Sequence, residues 1–159
     1  MSSTRICETV KYSSGQVKEH FEYYEHPQSK QKIKNGSYKS YYEDSRKKEV
    51  GNYENGKKNG KWISYYPNGV IKSEGTYDCN QREGRHVFYK KNGVKEVEAN
   101  YNKGELHGRR IFYYSNGSKR KEGNLTNGIQ NGKWISYSRN GTLISEEIYV
   151  KGKIDKSET

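Results

Sequence analysis

The residues of this chain that could do chemistry are four histidines, two cysteines and a periodic set of glutamates, and their spacing argues against catalysis. His20, His26, His86 and His107 have no partner at the His-Glu-x-x-His interval that sets two imidazoles on one face for a metal. Cys7 and Cys79 lie far apart with no C-x-x-C or Cys/His spacing, so two reduced thiols are expected. Glu74, Glu98, Glu122 and Glu146 recur every 24 residues, which stacks carboxylates along a ladder. Lysines and arginines surround them, so a salt-bridged, structural set is expected in place of an acid–base pair. None of the glycine turns leads from a strand into a helix, the context a phosphate-cradling loop requires. The sequence therefore predicts no catalytic residue, no metal site, no cofactor and no small-molecule substrate.

What remains is charge and aromatic surface. Lys and Arg number 30 against 19 Asp and Glu, for a net charge of +11, and the chain carries 16 tyrosines. Arg46-Lys47-Lys48 and Lys119-Arg120-Lys121 are the densest basic runs. Sharing one edge, such cations interleaved with Tyr and Trp rings would suit nucleic-acid phosphates and stacked bases, or anionic lipid headgroups. Scattered, they only keep the protein soluble, and a third use is steering toward an acidic protein partner.

The elements that position these groups follow from an internal repeat. Gly36, Gly60, Gly84, Gly108 and Gly132 stand 24 positions apart, and Tyr41, Tyr65, Tyr89, Tyr113 and Tyr137 keep step. A unit of this length is one supersecondary element that must stack on its neighbours to bury an apolar face. In the best-formed copy, Trp62 to Tyr66 meets Pro67-Asn68-Gly69 and leaves it as Val70 to Tyr77, a β-hairpin signal. Asn-Gly recurs at 92–93, 116–117 and 140–141, where both residues are expected to supply positive φ; Asp44-Ser45 stands there in the first copy. A second turn falls at Asn55-Gly56, Lys103-Gly104, Asn127-Gly128 and Lys151-Gly152, with Asn80 replacing the glycine once. Two turns per repeat predict two strands per repeat.

The expected fold is all-β: an elongated, single-layer array of consecutive antiparallel β-hairpins in five 24-residue repeats. Residues 1–35 are expected to form a divergent N-terminal cap or partial repeat, with an insertion around His26, Pro27 and Gln28. The array spans 36–152, and 153–159 is a charged C-terminal tail that frays or covers the far edge. No apolar stretch has the length of a signal peptide or a membrane-spanning helix, so a cytoplasmic protein is expected.

Alternation assigns the faces. The pairs Lys39/Tyr41, Ile63/Tyr65, Val87/Tyr89, Ile111/Tyr113 and Ile135/Tyr137 mark the expected packed side. The opposite set, from Trp62, Ser64 and Tyr66 to Arg110, Phe112 and Tyr114, is expected to be partly exposed. Small residues at Gly75, Ala99 and Gly123 are expected to make room for a neighbouring ring.

The order Tyr53-x-x-Gly56-x-x-x-Gly60-x-Trp62, repeated with Leu125 for tyrosine through Gly128, Gly132 and Trp134, resembles a MORN-type repeat in its bacterial variant form. Leu106-His107-Gly108 is similar to the His-Gly step of that family, while His86, Arg110 and Asn80 depart from its pattern. The resemblance implies an all-β hairpin array that binds or scaffolds without catalysis; bacterial variants are often labelled antitoxin-like or immunity-like, and classical members associate with membrane surfaces or phosphoinositides. It carries over no site residues.

The function expected is a non-enzymatic binding protein that lays its aromatic face on a protein partner, such as a toxin, nuclease or other effector with an acidic surface, and masks it sterically. The contact candidates are Trp62, Tyr66, Phe88, Phe112, Tyr114 and Trp134, because Trp, Tyr and Arg carry most hot-spot energy. The alternative is a basic module for nucleic acid or anionic membrane, with Arg46, Lys47, Lys48, Lys119, Arg120 and Lys121 as anion contacts.

Overall fold

The computed structural model of the protein describes residues 5–156, so the first four residues of the expected cap and Ser157–Thr159 of the expected tail lie outside the described residues. Among the described residues every regular element is a strand: β1 (Ile6–Lys11), β2 (Val17–Glu25), β3 (Lys32–Tyr41), β4 (Lys47–Glu54), β5 (Lys57–Tyr65), β6 (Ile71–Asp78), β7 (Gln81–Tyr89), β8 (Lys95–Asn102), β9 (Glu105–Tyr113), β10 (Lys119–Thr126), β11 (Ile129–Tyr137), β12 (Leu143–Val150) and β13 (Lys153–Ile154). The fold is all-β, as expected, and β3 to β12 are the two strands of each of five repeats. The chain forms two compact units that meet in sequence at Gln81 and Arg82. In the first, β1 to β6 lie side by side in chain order, each antiparallel to the one before. In the second, β7 to β13 do the same.

The two turn types solve their geometry differently. At the hairpin turn only the glycine takes positive φ, for example 84° at Gly69. The preceding Asn stays right-handed, contrary to expectation, and uses its side chain instead: Asn68 Oδ1 accepts the Val70 N–H, as Asn92, Asn116 and Asn140 do two residues ahead. This is the Asx geometry that short polar side chains favour. The second turn has positive φ at both central residues, such as Asn55 and Gly56, which is the twist-matched two-residue form. Its second residue donates back to the preceding repeat, Gly56 to the Lys34 carbonyl and Gly128 to that of Leu106, lacing successive repeats together.

The glycine that keeps the 24-residue period marks a bulge. β4 and β5 pair through Val50 and Ile63, then through Asn52 and Asn59, so Gly60, Lys61 and Trp62 together oppose Gly51. β10 and β11 repeat this with Gly132, Lys133 and Trp134 against Gly123. Gly60 (φ 70°) and Gly132 (φ 74°) provide the left-handed residue that such bulges use.

The N-terminal segment is more regular than the expected partial repeat. β1 and β2 make a complete hairpin whose turn at Tyr12–Gln16 has the same backbone bonds as the turn at Tyr42–Arg46. The added residues at 26–31 close the loop to β3, where Lys30 donates to the His26 carbonyl. At the C-terminal end β13 covers only the Tyr149–Val150 end of β12.

Candidate functional site

The packing buries side chains on both faces: Val87 and Ile111 are buried on the side expected to pack, but the side expected to be partly exposed holds the buried aromatic rings. Trp62 is 4% exposed and Trp134 2%, so neither is available as a contact; both are floor of the side expected to be open. The reason is cross-strand complementarity. Gly51 and Gly123, buried in the neighbouring strands, leave space that the two indoles fill, and Trp62 Nε1 donates to the Asn52 carbonyl and Trp134 Nε1 to that of Asn124, both at 3.0 Å. In the first unit Phe21, Tyr23 and Tyr38 join Trp62 in one core, with Tyr53 and Tyr77 packed against it.

Cations lie over this aromatic layer. Lys34 sits 4.4 Å from the Phe21 ring and 4.5 Å from Tyr38, held by Glu19 at 2.9 Å. One repeat on, Lys58 sits 4.0 Å over Trp62 and pairs with Glu49 at 3.2 Å. In the second unit Arg82 covers Phe88 and Tyr101 at 5.4 and 5.2 Å. Cations so placed gain from the ring quadrupole while their stems cover apolar surface. Lys34, Lys58 and Arg82 share a strand with Tyr38, Trp62 and Phe88, and the lids they form were missed in the sequence.

The other contact candidates are half-buried and remain on this side. Phe88 stacks on His86, which is buried where other repeats carry tryptophan. Phe112 lies under two guanidinium groups, Arg110 at 4.6 Å and Arg120 at 5.6 Å. Tyr66 has Lys72 over its ring. Tyr114 also ties repeats together, since its hydroxyl donates to the Tyr137 carbonyl at 2.8 Å, as Tyr42 does to Tyr65.

The basic runs do not act as blocks. Arg46 bonds the Pro67 carbonyl and lies 3.6 Å from Asp44, Lys47 is exposed, and Lys48 stands over Tyr42. Lys119 turns to Glu122 on the opposite side, Lys121 pairs with Glu147 at 3.3 Å, and Arg120 is exposed above Phe112. Lys119 thus points away from Arg120 and Lys121, which the register shift between Lys119 and Lys121 leaves on the aromatic side, so that triplet does not form one stripe.

The opposite side holds the glutamate ladder, salt-bridged as expected. Glu98 accepts from Arg85, Lys95 and Tyr113 and is flanked by the buried Val87 and Ile111; Glu122 accepts from Arg109, Lys119 and Tyr137. Burial alone would raise the Glu98 carboxyl, but these donors hold it down to about 2. Burial and the Glu98 charge push the Tyr113 phenol up to about 12. The periodic tyrosine of the repeat is thus the donor that locks the carboxylate of the preceding repeat. Among the described residues no group of three or more His, Cys, Asp or Glu is placed to hold a metal.

In the second unit the Trp134 side opens into a groove of about 570 Å³ whose lining includes Arg110, Phe112, Arg120, Lys121, Leu125 and Trp134. No curated protein matches the chain. The family model described as the MORN repeat variant matches residues 58–78, 106–127 and 130–151. Repeats of this kind are generally binding or scaffold modules, typically non-catalytic, that engage proteins or membranes. The matched segments each contain the turn glycine and hairpin described above, and in these three repeats the chain is similar to the MORN repeat variant.

Proposed function

We propose that the protein is a non-enzymatic binding module that lays the cation-covered aromatic side of its sheet on a protein partner with an acidic surface and masks that partner sterically, as an inhibitor or antitoxin does. The observation that carries this reading is the set of half-buried rings of the second unit, Phe88, Phe112 and Tyr114, each with an arginine over it; in the first unit Tyr66 likewise has Lys72 over it. Aromatic rings and arginine are the groups that concentrate binding energy at interfaces, and guanidinium caps add charge complementarity. The exposed free thiols Cys7 and Cys79 fit a reducing compartment, which supports action in the cytoplasm.

A nucleic-acid or anionic-lipid role is the second reading, favoured by the exposed run Arg46 to Lys48. It has less support in the second unit, where Arg85, Lys95, Arg109, Lys119, Lys121 and Lys133 are each paired with a glutamate. The two readings separate in a capture experiment from native lysate at low and high salt, with nuclease treatment in parallel. A stoichiometric protein that survives both treatments supports masking; material lost to salt or nuclease makes the basic charge the function.

A further inference from the structure

The fourth and fifth repeats together depart from the others at three places that line one groove. The tryptophan position of the repeat is Arg110, and its strand neighbours are Ala99 and Gly123. The position occupied by Tyr53, Tyr77, Tyr101 and Tyr149 is Leu125, 5% exposed. The lid position that holds Lys34, Lys58 and Arg82 is Gln130 in the last repeat, uncharged. Two rings and a cation are therefore missing from one part of the layer, and the groove of about 570 Å³ lies there. That volume is in the range of sites that enclose a specific ligand.

The chemistry of the groove is not that of a packing defect. Arg110 takes no ion pair among those of the described residues, and its Nε is buried with no hydrogen-bond partner. A buried guanidinium N–H without an acceptor costs on the order of 1–3 kcal/mol, so a site that retains one is complete only with an acceptor bound. Arg120 lies over the same Phe112 ring from the other strand, so two guanidinium groups face one position. Apolar side chains adjoin them: the half-buried Phe112 and the exposed Ile144, over the buried Leu125 and Trp134. Lys121 also lines the groove, but its ammonium is neutralised by Glu147.

We infer that this groove is the anchoring pocket for an acidic and apolar peptide segment of a protein partner, with a Glu or Asp carboxylate bound by Arg110 and Arg120 and an adjoining apolar side chain on Phe112 and Ile144. A planar fork of donors matches a carboxylate in two-point contact. A phosphodiester chain would need a run of uncompensated cations, whereas this groove offers two guanidinium groups side by side and its one lysine is already paired. The inference rests on the protein-binding reading above and names the chemistry by which it is specific.

The test uses the full chain and a short fluorescein-labelled peptide alternating glutamate with leucine or phenylalanine, beside its glutamine counterpart, labelled oligo-dT and phosphatidylserine vesicles. Binding is read by anisotropy, and the Arg110 Nε–H resonance by 15N NMR. The glutamate peptide is expected to bind and to shift that resonance, with the glutamine peptide weaker by about tenfold or more. Arg110→Met should weaken it similarly and Arg110→Lys partly, with Lys47→Met as the unaffected control and the amide spectrum reporting that each variant is folded. Equal binding of the two peptides, an unmoved Arg110 resonance, or tighter binding of oligo-dT or vesicles overturns the inference. If Arg110→Met loses the peptide but still captures the lysate partner, the groove is not the anchor while the masking reading stands; if no protein partner is captured by any variant, that reading itself fails.

Discussion

Replacing Gly51 by alanine tests the packing that turns this sequence into a face. Gly51 lies buried opposite the bulge at Gly60–Trp62, and a Cβ there would sit 2.7 Å from Cγ of Trp62 and closer still to Cδ2 and Cε2. Ordinary carbon contacts are about 3.5–4.0 Å, so the indole must retreat by roughly 1 Å. It is 4% exposed and wedged against Tyr38, Tyr53 and Tyr77, with ring centroids at 5.6, 5.1 and 6.5 Å, so it has nowhere to go without moving them. Overpacking of this kind costs about 1–3 kcal/mol, and stretching the Trp62–Asn52 hydrogen bond costs about 1 kcal/mol more. The lower backbone entropy of alanine in the unfolded chain returns about 0.4–1 kcal/mol. A net loss of about 2 kcal/mol is expected, read as a lower urea midpoint by far-ultraviolet circular dichroism. The decisive arm is the same substitution in a Trp62→Leu background, where the space is already vacant and the cost should fall to near zero. A loss below about 0.5 kcal/mol in the parent, or an equal loss in both backgrounds, would refute the steric argument.

Three further outcomes follow from the ladder and the repeat clamps. Because the folded Glu98 carboxyl is held at about 2, below its ordinary value of 4.5, its contribution is present above that ordinary value and lost as pH falls toward 2; urea midpoints of the parent should drop across this window, and those of Glu98→Gln should drop less. Tyr113, raised to about 12, should titrate above the ordinary phenol value of 10 in an absorbance titration near 295 nm, and Glu98→Gln should lower it while burial keeps it above that value. Tyr114→Phe keeps the ring but removes the donor to the Tyr137 carbonyl, so it should cost about 1 kcal/mol in thermal or urea unfolding without altering the sheet spectrum.

The strands were legible because their punctuation is periodic. Gly69, Gly93, Gly117 and Gly141 close one turn, and the second recurs on the same interval, so both boundaries and hairpin order could be read directly. The glutamates were equally readable, since a carboxylate in a basic, tyrosine-rich sheet has donors on every side. What alternation misjudged was the opposite face, which packs as well. It compares residues along one strand, whereas Trp62 is buried by an absence on another, at Gly51, and Trp134 by the same absence at Gly123. The signal lay in a pairing eleven positions apart, small residue then large ring, with Ala99 and Arg110 as its relaxed version. The lids were hidden for a different reason: Lys34 and Lys58 stand four residues before Tyr38 and Trp62 on the same strands, and strict alternation does not reveal that the irregular pairing between them brings each ammonium over its ring. Arg110 stood out in the sequence only as a departure from tryptophan; its unpaired Nε and the groove beside it needed the fold.

The central claim is that the cation-covered aromatic side is the binding surface, and the measurement that tests it most directly is the affinity of the captured partner for variants of each side. Phe88→Ser with Phe112→Ser removes two half-buried rings from that side, while Lys61→Ser with Lys133→Ser alters exposed cations on the other. The account predicts that the first pair weakens the partner by about tenfold or more at high salt, with the sheet spectrum retained, and that the second leaves it unchanged. Unchanged affinity for the first pair, or loss confined to the second, would contradict it.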